Sequence, residues 1–461
     1  MTVFFLTRRR NNDRFVAGVA VGGISVLVPV YQAEMSPKWI RGTLVCAYQL
    51  SITAGLFSAS IVNIFTSRLT TAAAFRIPLG LQLIWAGILA LGMLLLPETP
   101  RFLVKRGKAE EAGLSLSRLR RLDITHPAVM QELHEIVANH EYELTLGADT
   151  YKDIFCGTPH LGRRLVTGCG VQILQQLTGI NFIMYYSTTF FNGAGVQDPY
   201  TKSLIIQIIN MVSTIPGLVV IESWGRRKLL MVGSVGMAIC QLLIASFSAA
   251  AGDHLRTEAQ TILIVFCAIF IFFFAASWGP VAWVITSEIY PLKTRAKANS
   301  VSTASNWLLN FAISYSTPYL VGDGNGTAML GPKVFFVWGA FCIVGIVFVW
   351  CMVYETSKLS LEQIDEMYER VNNAWNSTGF QPSWSFQQML DEGWSPSGQS
   401  NPDLDLDPEH ELQYSPTSST GPIVTPFSTT TIAPPPAAAV TTNQSAEAKM
   451  VAGLGHVDFG Y

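Results

Sequence analysis

Residues 34–41, EMSPKWIR, recur as residues 288–295, EIYPLKTR, and each copy directly follows a long apolar stretch. The shared pattern Glu-x-x-Pro-x-x-x-Arg marks the chain as a duplicated membrane unit. The two glutamates stand 254 positions apart (288 minus 34). A second matched pair, Pro97-Glu98-Thr99-Pro100-Arg101 and Tyr354-Glu355-Thr356-Ser357-Lys358, stands 257 apart (355 minus 98), so one register relates both.

Composition sets the class. Apolar residues make up 49% of the chain and charged residues 13%, outside the range of ordinary soluble domains. Crossing about 30 Å of hydrocarbon takes about 20 apolar residues in a helix. Nine stretches read this way: 15–33, 44–64, 77–96, 165–191, 203–221, 229–251, 260–287, 299–320 and 334–353. The expected fold is therefore an all-α membrane protein. Of the 30 Lys and Arg, 21 fall in loops on the side that holds the C-terminus, which makes that side cytoplasmic. The cluster Arg8, Arg9, Arg10 and Arg14 disagrees with this topology.

The repeat orders the helices. Stretches 15–33, 44–64 and 77–96 correspond to the last three, while 165–191, 203–221 and 229–251 have no counterpart ahead of them. The register thus predicts a front lacking three helices. Expected organisation is a remnant of an N-terminal transmembrane half at 1–96, a cytoplasmic linker with short helices at 97–164, a C-terminal transmembrane half at 165–355 and a cytoplasmic tail at 356–461. Rich in Ser, Thr and Pro, the tail is expected to be disordered after about 376. Asn325-Gly326-Thr327 is an acceptor sequence for glycosylation in an external loop.

Polar residues inside the apolar stretches carry the chemistry. Gln172, Gln175, Gln176 and Gly179 share one helical stripe, and amides within a membrane need partners. A sugar presents hydroxyls that donate and accept, which Gln and Asn match without a buried charge. Interhelical amide bonding that only holds the bundle together is the alternative. Gly279-Pro280 interrupts the 260–287 stretch, and proline there removes a backbone bond. Trp283, one turn on, suits stacking on a sugar face or plain packing.

Glu34, Arg41, Glu98, Arg101, Glu222, Arg226, Arg227, Glu288 and Arg295 sit at the cytoplasmic ends of these stretches. They are expected to pair across the two halves as a gate when that side is shut, with solvation of lone charges as the alternative. The seven cysteines show no C-x-x-C spacing, and no histidine lies in a stretch, so neither a metal site nor a cofactor is expected. No nucleophile, phosphate loop or aromatic-spaced basic cluster points to an enzyme or to nucleic acid.

Several segments together resemble the sugar porter family of the major facilitator superfamily, most closely its fungal hexose transporters. They are DRFVAGVAVGGISVLVPVYQAEMSPKWIRGTL, PETPRFLVKRGK, QILQQLTGINFIMYYSTTFF, ESWGRRKLL, WGPVAWVITSEIYPLKTRAKANS and NWLLNF. The resemblance covers about residues 13–370. It implies the major facilitator fold of two six-helix halves, here lacking the first three of twelve transmembrane helices, with nine present. Implied sugar-binding positions are Gln49, Gln175, Gln176, Asn181, Asn210, Trp283, Asn306 and Asn310, with Tyr185 and Tyr186 closing over the ligand. The implied activity is transport of a monosaccharide, a hexose such as glucose, by a monomer in the plasma membrane, through alternating access. The resemblance carries its proton carrier on the first helix, so coupling to protons stays open. A membrane sugar sensor and a non-functional truncated product are the other readings.

Overall fold

The computed structural model describes residues 2–145, 151–157, 160–184, 199–250, 256–321, 330 and 333–380. Tyr185, Tyr186, Asn325 and the tail beyond 380 lie outside the described residues.

Every regular element among these residues is helical. Helices α1 (Thr2–Met35), α2 (Arg41–Ser67) and α3 (Ala73–Leu95) come first, followed by the shorter α4 (Pro100–Lys105), α5 (Ala109–Arg120), α6 (Pro127–Thr145) and α7 (Asp153–Cys156). Then come α8 (Leu161–Leu177), α9 (Pro199–Trp224), α10 (Arg226–Ala250), α11 (Arg256–Ala276), α12 (Trp278–Glu288), α13 (Arg295–Val321) and α14 (Val334–Met352). Helix α15 (Leu361–Arg370) and a 3-10 turn at Ala374–Gly379 complete the set.

Seven spans among the described residues are long and apolar enough to cross a membrane. The expected stretches at 165–191 and 299–320 are not among them. Helix α8 stops after 17 residues, where the chain breaks at Thr178-Gly179, and α13 is studded with Asn, Ser and Thr. Helices α8 and α13 pack on each other and on α12, while the far face of α13 exposes Leu308, Phe311 and Tyr315. At the other extreme, α3 buries none of its residues and exposes Leu83, Trp85, Ile88, Leu91, Leu94 and Leu95, as a helix solvated by hydrocarbon does.

Packing centres on α8 to α14, where Phe270, Trp278, Phe335, Leu230 and Val349 are buried in one core. Helix α2 seats against α9 and α12, and α1 against α2 and α13. Two helix breaks interrupt this bundle. In the 260–287 stretch the chain breaks at Ser277, two residues ahead of the expected Gly279-Pro280. Pro280 then falls in the first turn of α12, where a missing N–H costs nothing. The second break lies after α8, where Gly179 takes φ +81° before residues 180–184 resume helix.

Gly225, between α9 and α10, has φ +87°, and a Cβ there would run into the Glu355 carboxylate. Gly225→Ala should therefore lower the thermal midpoint of the detergent-purified chain, with a cost of about 1–3 kcal/mol from left-handed backbone alone. Gly55→Ala, where a new Cβ meets nothing within 4 Å, is the control and should leave the midpoint unchanged or raised.

Candidate functional site

The amides of α8 and α13 face each other and form one network. Asn306 Nδ2 donates to Gln172 Oε1 at 2.6 Å and to Gln175 Oε1 at 2.8 Å. Gln176 Nε2 donates to Asn306 Oδ1 at 2.9 Å, and Asn310 Nδ2 reaches Gln176 Oε1 at 3.4 Å. Asn181 Nδ2, just beyond the break, also donates to Gln176 Oε1. Gln172 closes the inner edge by donating to Thr286 Oγ1 at 3.3 Å. All but Asn181 and Asn310 are buried. In so dry a place an amide left alone would be costly, so the pairs are mutually stabilising.

The break before α12 feeds this network. Gln175 Nε2 donates to Trp278 O at 2.9 Å and to Gly279 O at 3.1 Å, using the second lone pair of carbonyls in the first turn of α12. Trp278 is itself fixed, its Nε1 donating to Ser234 Oγ at 2.7 Å and to Leu230 O at 3.1 Å. From the opposite side, Gln49 Nε2 lies 3.4 Å from where a Cβ on Gly279 would stand. Trp283 is buried and meets the Tyr48 ring edge-on, centroids 5.5 Å apart. Five of the eight expected positions thus share one network, and Gln49 and Trp283 flank the same break. Asn210 on α9 stands apart from these bonds, buried with its Oδ1 unpartnered among the described residues.

Charged residues gather at the other end of α12, where α9 ends and α10 begins. Arg226, 1% exposed, donates to Glu222 Oε2 at 2.8 Å and to Glu288 Oε1 at 3.0 Å. Glu288 Oε2 also accepts from Thr356 Oγ1 at 2.7 Å, and Glu222 Oε1 from the Thr43 N–H at 3.2 Å. Arg295 joins Glu34 at 3.1 Å, linking the two copies of the repeat, while its Nε donates to Tyr290 O at 3.0 Å. Arg41 Nη1 donates to Leu359 O at 3.2 Å. Arg227 Nη2 donates to Trp350 O at 2.8 Å and its guanidinium lies over the Trp350 ring. Burial pushes the Tyr290 phenol well above its usual value, so it stays protonated in its 2.5 Å hydrogen bond with Ser302.

One expected member of this layer is corrected. Glu98 is exposed and enters no ion pair among the described residues; its backbone carbonyl accepts from Ser115 Oγ at 2.6 Å. Thr99 caps α4 by accepting from the Phe102 N–H, and this turn points the Glu98 carboxylate outward. Arg101, by contrast, is buried. Three residues outside the expected site positions also take part. Glu355, the repeat partner of Glu98, accepts the N–H groups of Arg226 and Arg227 at 2.9 and 3.0 Å and so caps α10. Arg164 pairs with Asp365 of α15 and lies 4.3 Å from the centroid of Tyr368. Position in the repeat was a signal for Glu355; nothing local marked Arg164 or Asp365.

Comparison with known proteins gives the family. A family model described as "Sugar (and other) transporter" matches residues 4–368. The chain belongs to that family. It is a multi-pass membrane protein with the all-helical major facilitator fold, and it resembles fungal hexose transporters. It is 65% identical over 407 residues to the probable glucose transporter rco-3 of Neurospora crassa, covering 87% of this chain and 67% of that protein. The high glucose sensor RGT2 of Saccharomyces cerevisiae is 41% identical over 371 residues, which make up 79% of this chain and 48% of the sensor, about half its length. The sugar-bound structure of the proton:xylose symporter XylE superposes with a TM-score of 0.67 at 27% identity, covering 77% of this chain and 73% of XylE. A partially occluded inward-open form of XylE from E. coli gives 0.54 at 25% identity, covering 73% and 69%.

Asn306→Ala should strand the oxygens of Gln172 and Gln175 and the amide of Gln176. Each stranded buried partner costs about 1–3 kcal/mol in soluble proteins and nearer 0.6 where helices in a membrane find substitutes. A loss of about 2 kcal/mol, read as a lowered thermal midpoint of the purified chain, is the expected outcome; an unchanged midpoint would break the network argument.

Proposed function

We propose that the chain carries a monosaccharide, a hexose such as glucose, across the bilayer by alternating access. The observation that carries this reading is the amide network at the α12 break, with Gln172, Gln175, Gln176 and Asn306 buried and Asn310 at its edge. Amides that already bond one another can exchange those bonds for sugar hydroxyls without exposing a charge to the membrane interior. Gln175, Gln176, Asn181, Asn306 and Asn310 are the direct contacts in this reading. Gln49, Asn210 and Trp283 complete the wall, the indole offering a flat apolar face with one N–H. Interrupted helices beside a polar cluster support the same site. Tyr185 and Tyr186 are the proposed outer closure.

The cytoplasmic charge layer is the proposed gate, formed by Glu34, Arg41, Arg101, Glu222, Arg226, Arg227, Glu288 and Arg295. Burial of Arg226 between two carboxylates supports a shut cytoplasmic side, as does the weaker likeness to the inward-open form of XylE. Plasma-membrane residence and a monomeric state belong to the proposal. Coupling to protons is a finer question: in the described spans the only carboxylates, Glu34, Glu222 and Glu288, sit at their cytoplasmic ends. Sensitivity of uptake to a protonophore decides it.

The likeness to a glucose sensor favours a second reading, binding without transport. Uptake of radiolabelled glucose by cells stripped of their own hexose transporters separates the two. Saturable uptake is expected, cut at least tenfold by Gln176→Leu at equal surface amount; zero uptake with full surface expression would sink transport and favour the sensor. Glu288→Ala leaves Arg226 with one partner, and breaking a buried pair this way costs about 3–5 kcal/mol. The variant should shift the chain toward inward-open forms, read as faster labelling of a cytoplasmic-cavity cysteine, and an unchanged rate would refute the gate.

A further inference from the structure

Beyond the network, one glutamine on a different helix touches the break in α8. The helix ends at Thr178, Gly179 takes φ +81°, and residues 180–184 carry Asn181 onward. A break of this kind frees backbone carbonyls. Thr178 O accepts from Gln241 Nε2 at 2.6 Å, and Gln241 belongs to α10, away from the amides of the site. The Trp338 ring of α14 lies against the glycine itself, its Cγ 2.6 Å from where a Cβ would stand. No residue with a side chain fits at 179 unless that ring moves.

The outer run is also tied to α14. Phe182 is fully buried, edge-on to Phe335 at 5.4 Å and tilted on Trp338 at 6.4 Å between centroids. Asn181, its neighbour, reaches back across the break to Gln176. The place of Asn181 relative to Gln176 is therefore set by the Thr178–Gly179 peptide and by what grips it. Two buried polar atoms at that grip have no partner among the described residues: the Oε1 of Gln241, 0% exposed, and the Nε1 of Trp338, 4% exposed. One is an acceptor and the other a donor. Buried groups are almost always bonded, and this acceptor and donor belong to the two side chains that grip the glycine break.

We propose that Gln241 and Trp338 seat a hinge at Gly179, acting as positioning residues that fix where Asn181 meets the sugar. The spare acceptor and donor serve the second position of that hinge, when the outer run moves and the Trp338 ring turns from Gly179. Neither residue touches the ligand. The inference rests on the sugar-site reading for its effect on affinity, but not for the hinge itself.

Two measurements on the full chain test it. In membranes, Asn181→Cys gives a thiol whose maleimide labelling reports the outer run, with the parent chain as the blank for native cysteines. Adding Gln241→Leu should speed that labelling at least fivefold, and Trp338→Phe should speed it less; equal rates overturn the hinge. In glucose uptake, Gln241→Leu should raise KM about tenfold while Vmax per surface molecule stays within twofold, and Gln241→His, which keeps an N–H donor, should restore most of the affinity. Unchanged KM with lowered Vmax or surface amount makes Gln241 a packing residue and overturns the proposal. If the parent chain neither takes up nor binds labelled glucose, the sugar reading falls, and the maleimide-labelling rates of the Asn181→Cys variants still decide the hinge.

Discussion

The Arg226 guanidinium, buried between Glu222 and Glu288, is the interaction on which the arrangement turns. A cation with 1% exposure is tolerable only when its charge and donors are met, and here three helices converge to meet them. Glu222 lies in the last turn of α9, Arg226 starts α10 and Glu288 ends α12. Gly42 at the start of α2 sits directly on this cluster, with the Arg226 Nη2 only 2.6 Å from where a Cβ would stand. The small residue lets the first-repeat helix close over the charges, and the Thr43 N–H then bonds Glu222. Any larger residue at 42 would hold α2 away from the C-terminal bundle.

Helix α12 connects that layer to the amides. Its first residues present the carbonyls of Trp278 and Gly279 to Gln175, and its last residue is Glu288. At 1.5 Å per residue its 11 residues make a rod about 16 Å long with no internal break. Every residue of the rod is buried, so it moves only with its neighbours. The helix that Gln175 grips is thus the same rigid piece that holds one carboxylate of the charge layer. The shared helix is the physical link through which the proposed site and the proposed gate would be coupled.

Much of this was legible in the sequence because it is carried by residue type at fixed spacing. Gln172, Gln175 and Gln176 had to share a face, and apolar surroundings obliged them to find partners; Asn306 and Asn310 were the amides available on a neighbouring stretch. Partner identity among the charges was less legible. Repeat symmetry treats Glu98 and Glu355 alike, yet one faces solvent from a capped turn and the other caps α10, because a proline stands two residues on in only one copy of the motif: Pro100 starts α4, whereas Ser357 has an N–H that Glu355 itself accepts. The break at Ser277 fell ahead of Gly279-Pro280 since proline is comfortable in a first turn, so its position marks the start of a helix and not the end of one.

Buried amides rather than charges at the centre also set how the two layers divide their work. Ion pairs such as Arg226 with Glu288 are strong only while dry and complete, so they suit a closure that is either made or broken. Amide bonds in the α8–α13 layer are individually weak and interchangeable, each group able to donate or accept. A neutral polyhydroxyl ligand can replace them one at a time, so the site passes through no state with a stranded charge. In the proposed cycle the charge layer would set which side is open, and the amide layer would hold the ligand meanwhile. The two layers meet on α12, where the amides bond Trp278 O and Gly279 O at its start and Thr286 Oγ1 near its end, and Glu288 closes the helix.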